Sequence, residues 1–118
     1  MTIEQRVSGG VTILDVQGRM SIEVLKDMPI AKMVRSLLQQ GRTQILLNLE
    51  GVPSTDTMGL CNIVEAYVTA QRQGGSLKLL RPTPHVRHLL VITRLLTVFD
   101  AYESEAEALA SFGPAAVS

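Results

Sequence analysis

The groups best placed to do chemistry in this sequence lie in one short segment, Ser54-Thr55-Asp56-Thr57-Met58-Gly59. An apolar run, Ile45-Leu46-Leu47 with Leu49, precedes it. Leu60, Ile63, Val64, Tyr67 and Val68 follow it, at the i, i+3, i+4, i+7, i+8 spacing of an amphipathic helix. Asp56 fits the N-cap of that helix, because its carboxylate can accept from free backbone N–H groups of the first turn. Thr57 then falls at the first helical position, beside the positive end of the helix dipole. A phosphate added to this hydroxyl would sit where a helix N-terminus tolerates anions. Two readings stand: a modifiable hydroxyl at a helix start, or simply a helix cap with a hydroxyl neighbour.

Other reactive residue types form no convincing constellation. Cys61 lies in the first turns of the same helix, where a thiol pKa falls. No histidine stands near it in sequence, so a small helix-packing residue is expected rather than a nucleophile. His85 and His88 stand at i and i+3, a spacing that can hold a metal, but no second pair of ligands completes a site. A solvated surface pair is expected. Gly9-Gly10 and Gly74-Gly75 read as turns, since neither belongs to a glycine-rich phosphate loop with its lysine. The scattered methionines read as gap-filling core. No Ser-His-Asp or paired-carboxylate arrangement is visible, so no catalytic residue, metal or cofactor is expected.

Composition narrows the class further. The chain has 118 residues, enough for one domain with a real core, and 46% are apolar. Eleven basic residues balance eleven acidic ones, which argues against a general nucleic-acid binder. Aromatics at 3% leave little for stacking on single-stranded bases. No apolar run approaches a membrane span of roughly 20 residues. Met1-Thr2-Ile3-Glu4 lacks the features of a signal peptide, and a single cysteine fits a reducing cytoplasm.

The elements that must position the central segment can be taken in order. Ile3, Gln5 and Val7 alternate with Glu4, Arg6 and Ser8 as one strand; Gly9-Gly10 turns the chain, and Val11 to Val16 returns as a second. Met20 to Met28 fits no single period. Asp27 and Pro29 mark a helix start, and Met33, Val34, Leu37 and Leu38 continue it to Gly41. Ile45 to Leu49 is a strand buried on both faces. After the central helix, Gly74-Gly75 leads into a strand over Ser76 to Leu80, giving a right-handed βαβ unit with parallel strands. Thr83-Pro84 opens a short helix with Val86, Leu89 and Leu90 inward. Thr97 to Tyr102 reads as a last strand at an edge. Ser104 and Glu107 have capping-box spacing for a final helix running to Gly113-Pro114. The expected fold is α/β: a single domain over residues 1–113, an N-terminal β-hairpin, and a mixed sheet of about five strands with about four helices on it. Residues 114–118 read as a frayed tail.

The order of these pieces resembles the STAS domain of bacterial anti-sigma factor antagonists. Ile45-Leu46-Leu47-Asn48-Leu49-Glu50-Gly51-Val52, followed by Asp56-Thr57-Met58-Gly59-Leu60, is similar to the family's strand, short loop and Asp-Ser-Ser-Gly-Leu helix opening. Gln17-Gly18-Arg19-Met20 resembles its glycine turn after the second strand. Gly74-Gly75-Ser76-Leu77-Lys78-Leu79 resembles its entry to the following strand. Thr93-Arg94-Leu95-Leu96-Thr97-Val98-Phe99 resembles its "TGL" segment, with Arg94 in place of glycine, and Ser104 to Phe112 resembles its last helix.

The resemblance implies a cytoplasmic, non-enzymatic partner switch that touches neither nucleic acid nor membrane. Its partner would be an anti-sigma factor that is also a serine/threonine kinase, with a phosphatase to reset it. Ser54, Thr55, Asp56, Thr57, Met58 and Gly59 would then form the partner-binding segment. In the commonest family motif the phosphoacceptor directly precedes the glycine, a place held here by Met58. Thr57 is the hydroxyl that remains beside Asp56, as in stressosome-type members, and is the expected acceptor. Ser54 and Thr55 are weaker candidates. The alternative is a non-phosphorylated scaffold or constitutive antagonist in a stressosome-like assembly.

Overall fold

The computed structural model describes residues 2–19 and 29–112, without the side chain of Met58. The irregular segment Met20 to Met28, the Asp27 start signal, the Gly113-Pro114 stop and the tail over 114–118 lie outside the described residues.

Gly9 and Gly10 fix the first event in the fold. Both have positive φ, +56° and +82°, the geometry of a type I′ hairpin turn whose twist matches that of the strands it joins. Around it β1 (Thr2–Ser8) and β2 (Val11–Gln17) pair antiparallel, from Ser8 opposite Val11 to Thr2 opposite Gln17. The chain then builds α1 (Pro29–Gln39), β3 (Gln44–Gly51), α2 (Thr57–Arg72), β4 (Ser76–Leu80), α3 (Pro84–Ile92), β5 (Ala101–Tyr102) and α4 (Glu105–Ser111). The sheet order is β1-β2-β3-β4-β5, with every pair after the hairpin parallel. Thus the mixed five-stranded sheet, the N-terminal hairpin and four α-helices are all present among the described residues.

The two faces of the sheet are covered unequally. Leu14, Val16, Ile45, Leu47, Leu49, Leu77 and Leu79 share the larger core with α1, α2 and α3. Val11, Ile13, Leu46 and Leu80 form a smaller core under α4, with Ala108, Leu109 and Phe112. In β3, alternate leucines therefore serve opposite cores, which is why the strand reads as an unbroken apolar run. Lys78 sits in β4 and donates to the Ser111 carbonyl at 2.9 Å and to its hydroxyl at 3.0 Å. Its ammonium lies 4.9 Å from the Phe112 ring centroid and ties down the C-terminal end of α4, where a cation complements the helix dipole.

Two expectations need correction. The inward face of α2 is Leu60, Ile63, Ala66 and Ala70, with Asn62 and Thr69 also buried; Val64, Tyr67 and Val68 are only partly covered. The helix lies close to the sheet and to α1, a place that small alanines suit better than branched side chains. Asn62 accepts from the Ala31 backbone N–H at 3.2 Å and so satisfies a donor in the first turn of α1. Tyr67 instead packs edge-to-face on Phe99, with centroids 5.0 Å apart.

The second correction concerns Thr97 to Tyr102, of which only Ala101–Tyr102 is strand. Arg94 ends α3 with φ +62°, and Leu95–Thr97 form a 3₁₀ turn. Val98 and Phe99 both donate to the Leu95 carbonyl, so the chain stays coiled and delivers Phe99 into the core. Leu95 and Phe99 are spaced for a helical turn, not for a strand.

Candidate functional site

The Ser54–Gly59 segment leaves the sheet at the C-terminal end of β3. Its geometry starts at Gly51, where a side chain would meet the Val16 carbonyl and Gln17 Cγ at 2.8 Å. Glycine is required there by close backbone approach, and the Gly18 N–H donates to the Gly51 carbonyl at 2.9 Å. Val52 then turns back, its N–H donating to the Leu49 carbonyl at 3.0 Å, and its side chain is fully buried. The loop is thereby anchored at its start.

Asp56 is the N-cap of α2, as expected. Its backbone is extended (φ −106°, ψ −173°) and Oδ1 accepts from the Gly59 N–H at 3.0 Å. The Asp56 carbonyl accepts the first helical bond, from the Leu60 N–H at 3.0 Å. Thr57 follows as the first helical residue and is exposed. Ser54 is half-buried. Thr55 is only 8% exposed, and its hydroxyl donates to the Asp56 carbonyl at 3.2 Å. Gly59 is buried, and Met58 contributes backbone to the first turn of the helix. Among the three hydroxyl-bearing residues of the segment, then, Thr57 is the most exposed.

Two contacts that sequence reasoning missed hold this loop from the side. Thr83 occupies the N-cap position of α3, yet its hydroxyl makes no cap bond; it donates to the Val52 carbonyl at 2.6 Å. In the first turn of α3, His85 Nε2 lies 3.1 Å from the Thr55 carbonyl, and since a carbonyl only accepts, Nε2 carries the proton in this bond. Both His85 and His88 are exposed, as expected of a surface pair; what the pair's sequence did not reveal is the bond from His85 to the loop. A signal was available: α3 starts just after β4, the neighbour of β3, so its first turn must lie beside the loop that follows β3.

Cys61 is exposed, which overturns its expected packing role. It stands four residues after Thr57 and four before Glu65, which is also exposed, so all three share the outer face of α2. Among the described residues no group of three or more His, Cys, Asp or Glu side chains is arranged to hold a metal. Nor is any helix long and apolar enough to cross a membrane.

A cleft of about 440 Å³ opens elsewhere, on the part of the sheet that α4 leaves uncovered, between Glu4, Arg6, Asp15, Gln17, Asn48 and Glu50. Arg6 lies between Asp15 at 2.6 Å and Glu105 at 2.5 Å, and Asn48 Nδ2 donates to Asp15 at 2.7 Å. The hydrogen bonds from Arg6 hold both carboxyls below the usual carboxylate range, and those to Glu105 and Asp15 raise the guanidinium in turn. These groups satisfy one another and tie β1, β2 and β3 to α4.

The fold and the loop define an α/β domain that presents a capped helix start with an exposed threonine. A family model described as the STAS domain matches residues 2–108, and the chain belongs to that family. Its fold is similar to that of an anti-sigma factor antagonist candidate from Thermotoga maritima, at TM-score 0.83 and 26% identity over 92% of both chains. An anti-sigma factor antagonist from Mycobacterium paratuberculosis superposes at TM-score 0.79 and 17% identity, over 93% of this chain and 92% of that one. The Bacillus cell fate determinant SpoIIAA, in its phosphorylated form, does so at 0.72 and 18%, over 95% and 100%. No curated protein sequence matches significantly.

Proposed function

We propose that this protein is an anti-sigma factor antagonist that works by partner switching. It binds a cytoplasmic anti-sigma factor that is also a serine/threonine kinase, and binding releases the sigma factor. The partner kinase transfers the γ-phosphoryl group of ATP to the Thr57 hydroxyl oxygen; ADP leaves, and the hydroxyl proton passes to the kinase. A phosphatase restores the free hydroxyl. The protein is thus a substrate and a switch, without catalytic chemistry of its own.

The observation that carries this reading is the exposure of Thr57 at the first position of α2, beside the Asp56 cap, while Thr55 is buried in the loop. Phosphorylation there adds about −1.5 to −2 charges and three acceptor oxygens. The helix start can accept that charge. An interface fitted to a neutral hydroxyl cannot, because it must desolvate and accommodate the new group. The partner surface is the loop from Ser54 to Asp56, Thr57, Met58 and Gly59 at the helix start, and the outer face continuing through Cys61.

Met58 favours a second reading, in which the chain binds constitutively or as a scaffold in a stressosome-like assembly. Substitution at Thr57 separates the two. Thr57→Ala binds the partner like the native protein, whereas Thr57→Glu binds roughly 5- to 150-fold more weakly with the fold intact, the span of an ordinary coupling free energy. Equal affinity of Thr57→Glu and the native protein supports the scaffold reading instead.

A further inference from the structure

The sheet ends differently at its two edges. β5 is two residues long, too short to template another strand, but β1 runs for seven residues from Thr2 to Ser8. Among the described residues β1 pairs only with β2, in unbroken register, and it carries none of the proline, lysine or bulges that usually blunt an edge. Its backbone is also aimed. In a hairpin closed by the two-residue turn Gly9-Gly10, the flanking pair Ser8–Val11 is hydrogen-bonded, and the pattern then alternates. Arg6–Ile13, Glu4–Asp15 and Thr2–Gln17 therefore use their N–H and C=O groups within the hairpin. Those of Ile3, Gln5 and Val7 point to the open edge.

We propose that this edge pairs antiparallel with the same strand of a second copy, about a two-fold axis at Gln5. The sequence Thr2-Ile3-Glu4-Gln5-Arg6-Val7-Ser8 is complementary to itself in that register. Gln5 faces Gln5 of the second copy and Ile3 faces its Val7; both kinds of pair fall where the outward backbone groups exchange hydrogen bonds. Val7, 54% exposed in the single chain, thereby gains an apolar neighbour. Glu4 faces Arg6 of the second copy in the closer, non-hydrogen-bonded pair. Glu4 lies opposite Asp15 in its own hairpin, a like-charge pair, and makes no ion pair among the described residues. Arg6 is already held in place by Asp15 and Glu105, so little side-chain freedom is lost on docking. The isologous contact closes on itself, and two sheets become one continuous sheet.

The test is the mass of the full chain in solution, by light scattering and sedimentation equilibrium across the micromolar range. A dimer that dissociates on dilution is expected for the native protein. Gln5→Pro removes an outward N–H and no bond inside the hairpin, so it should give a monomer with native circular dichroism. Val7→Lys should do the same by a different route, and it decides the matter if Gln5→Pro fails to fold. Glu4→Arg, which sets like charges opposite each other, should weaken the dimer about tenfold. A native protein that stays monomeric throughout, or a dimer that survives both Gln5→Pro and Val7→Lys, overturns the proposal.

Discussion

Replacing Thr83 by valine isolates the contact that clips the loop between β3 and α2 to α3. Valine keeps the shape and the extended backbone preference of the position, where φ is −68° and ψ is 163°. Because the Thr83 hydroxyl makes no cap bond, no capping energy is lost. What disappears is a 2.6 Å hydrogen bond to the carbonyl of Val52, whose side chain is fully buried. An ordinary hydrogen bond contributes about 1 kcal/mol net, and a buried acceptor left without its donor raises the cost toward about 1–3 kcal/mol. Thr83→Val should therefore cost about 1–2 kcal/mol, read as a fall of roughly 0.5–1 M in the urea midpoint at unchanged slope. His85→Ala, at an exposed position, should cost only about 0.5 kcal/mol. Both residues hold one loop, so the double variant should depart from additivity by roughly 0.5 kcal/mol or more. Partner affinity should fall in Thr83→Val even where the protein is fully folded, since the segment proposed to meet the partner is less well held. A midpoint within error of the native value, or unchanged affinity despite the lost stability, would refute this account of the loop.

Other predictions follow from the same structure. Cys61 shares an exposed helix face with Thr57, so a thiol reagent should label it readily in the free protein, partner should protect it, and prior alkylation should block binding; labelling indifferent to partner would move the interface off that face. Asp15 and Glu105 have lowered folded pKa values through their hydrogen bonds with Arg6. Their contribution is complete above the unfolded values of about 3.9 and 4.3, and is lost as pH falls through the folded ones. Stability should accordingly decline below about pH 5, and Glu105→Gln should remove about 0.5 kcal/mol at neutral pH while flattening that decline. Urea titrations of the two proteins at pH 7 and pH 4 check this, and parallel acid losses would contradict it.

What could be read from the sequence was set by chemistry within a few residues. Gly9-Gly10 fixes a hairpin turn, Asp56 caps the helix that follows it, and Gly74-Gly75 separates the central helix from β4. What could not be read depends on neighbours distant in sequence. The inward face of α2 is alanine-rich because α1 and the sheet press close, a constraint no helical period in α2 reveals. The stretch from Thr97 to Tyr102 looks like a strand until Arg94 and Leu95 coil it and Phe99 is drawn onto Tyr67. Cys61 carries an apolar side chain on an outward face, so its residue type misleads. His85 gains its partner only because β3 and β4 lie side by side and bring the Thr55 carbonyl to the start of α3. The candidate site was therefore legible as a segment, while the contacts that hold it from the side were not.

The central claim, that Thr57 is the switch, is tested most directly by intact mass spectrometry after incubation with Mg-ATP and the partner kinase, on the native protein and Thr57→Ala. The account predicts one added phosphoryl group on the native protein and none on the variant. One group retained by Thr57→Ala would place the acceptor elsewhere, at Ser54 or Thr55, and tight kinase binding with no added group would make the protein a constitutive antagonist or scaffold. Either result contradicts the switch at Thr57.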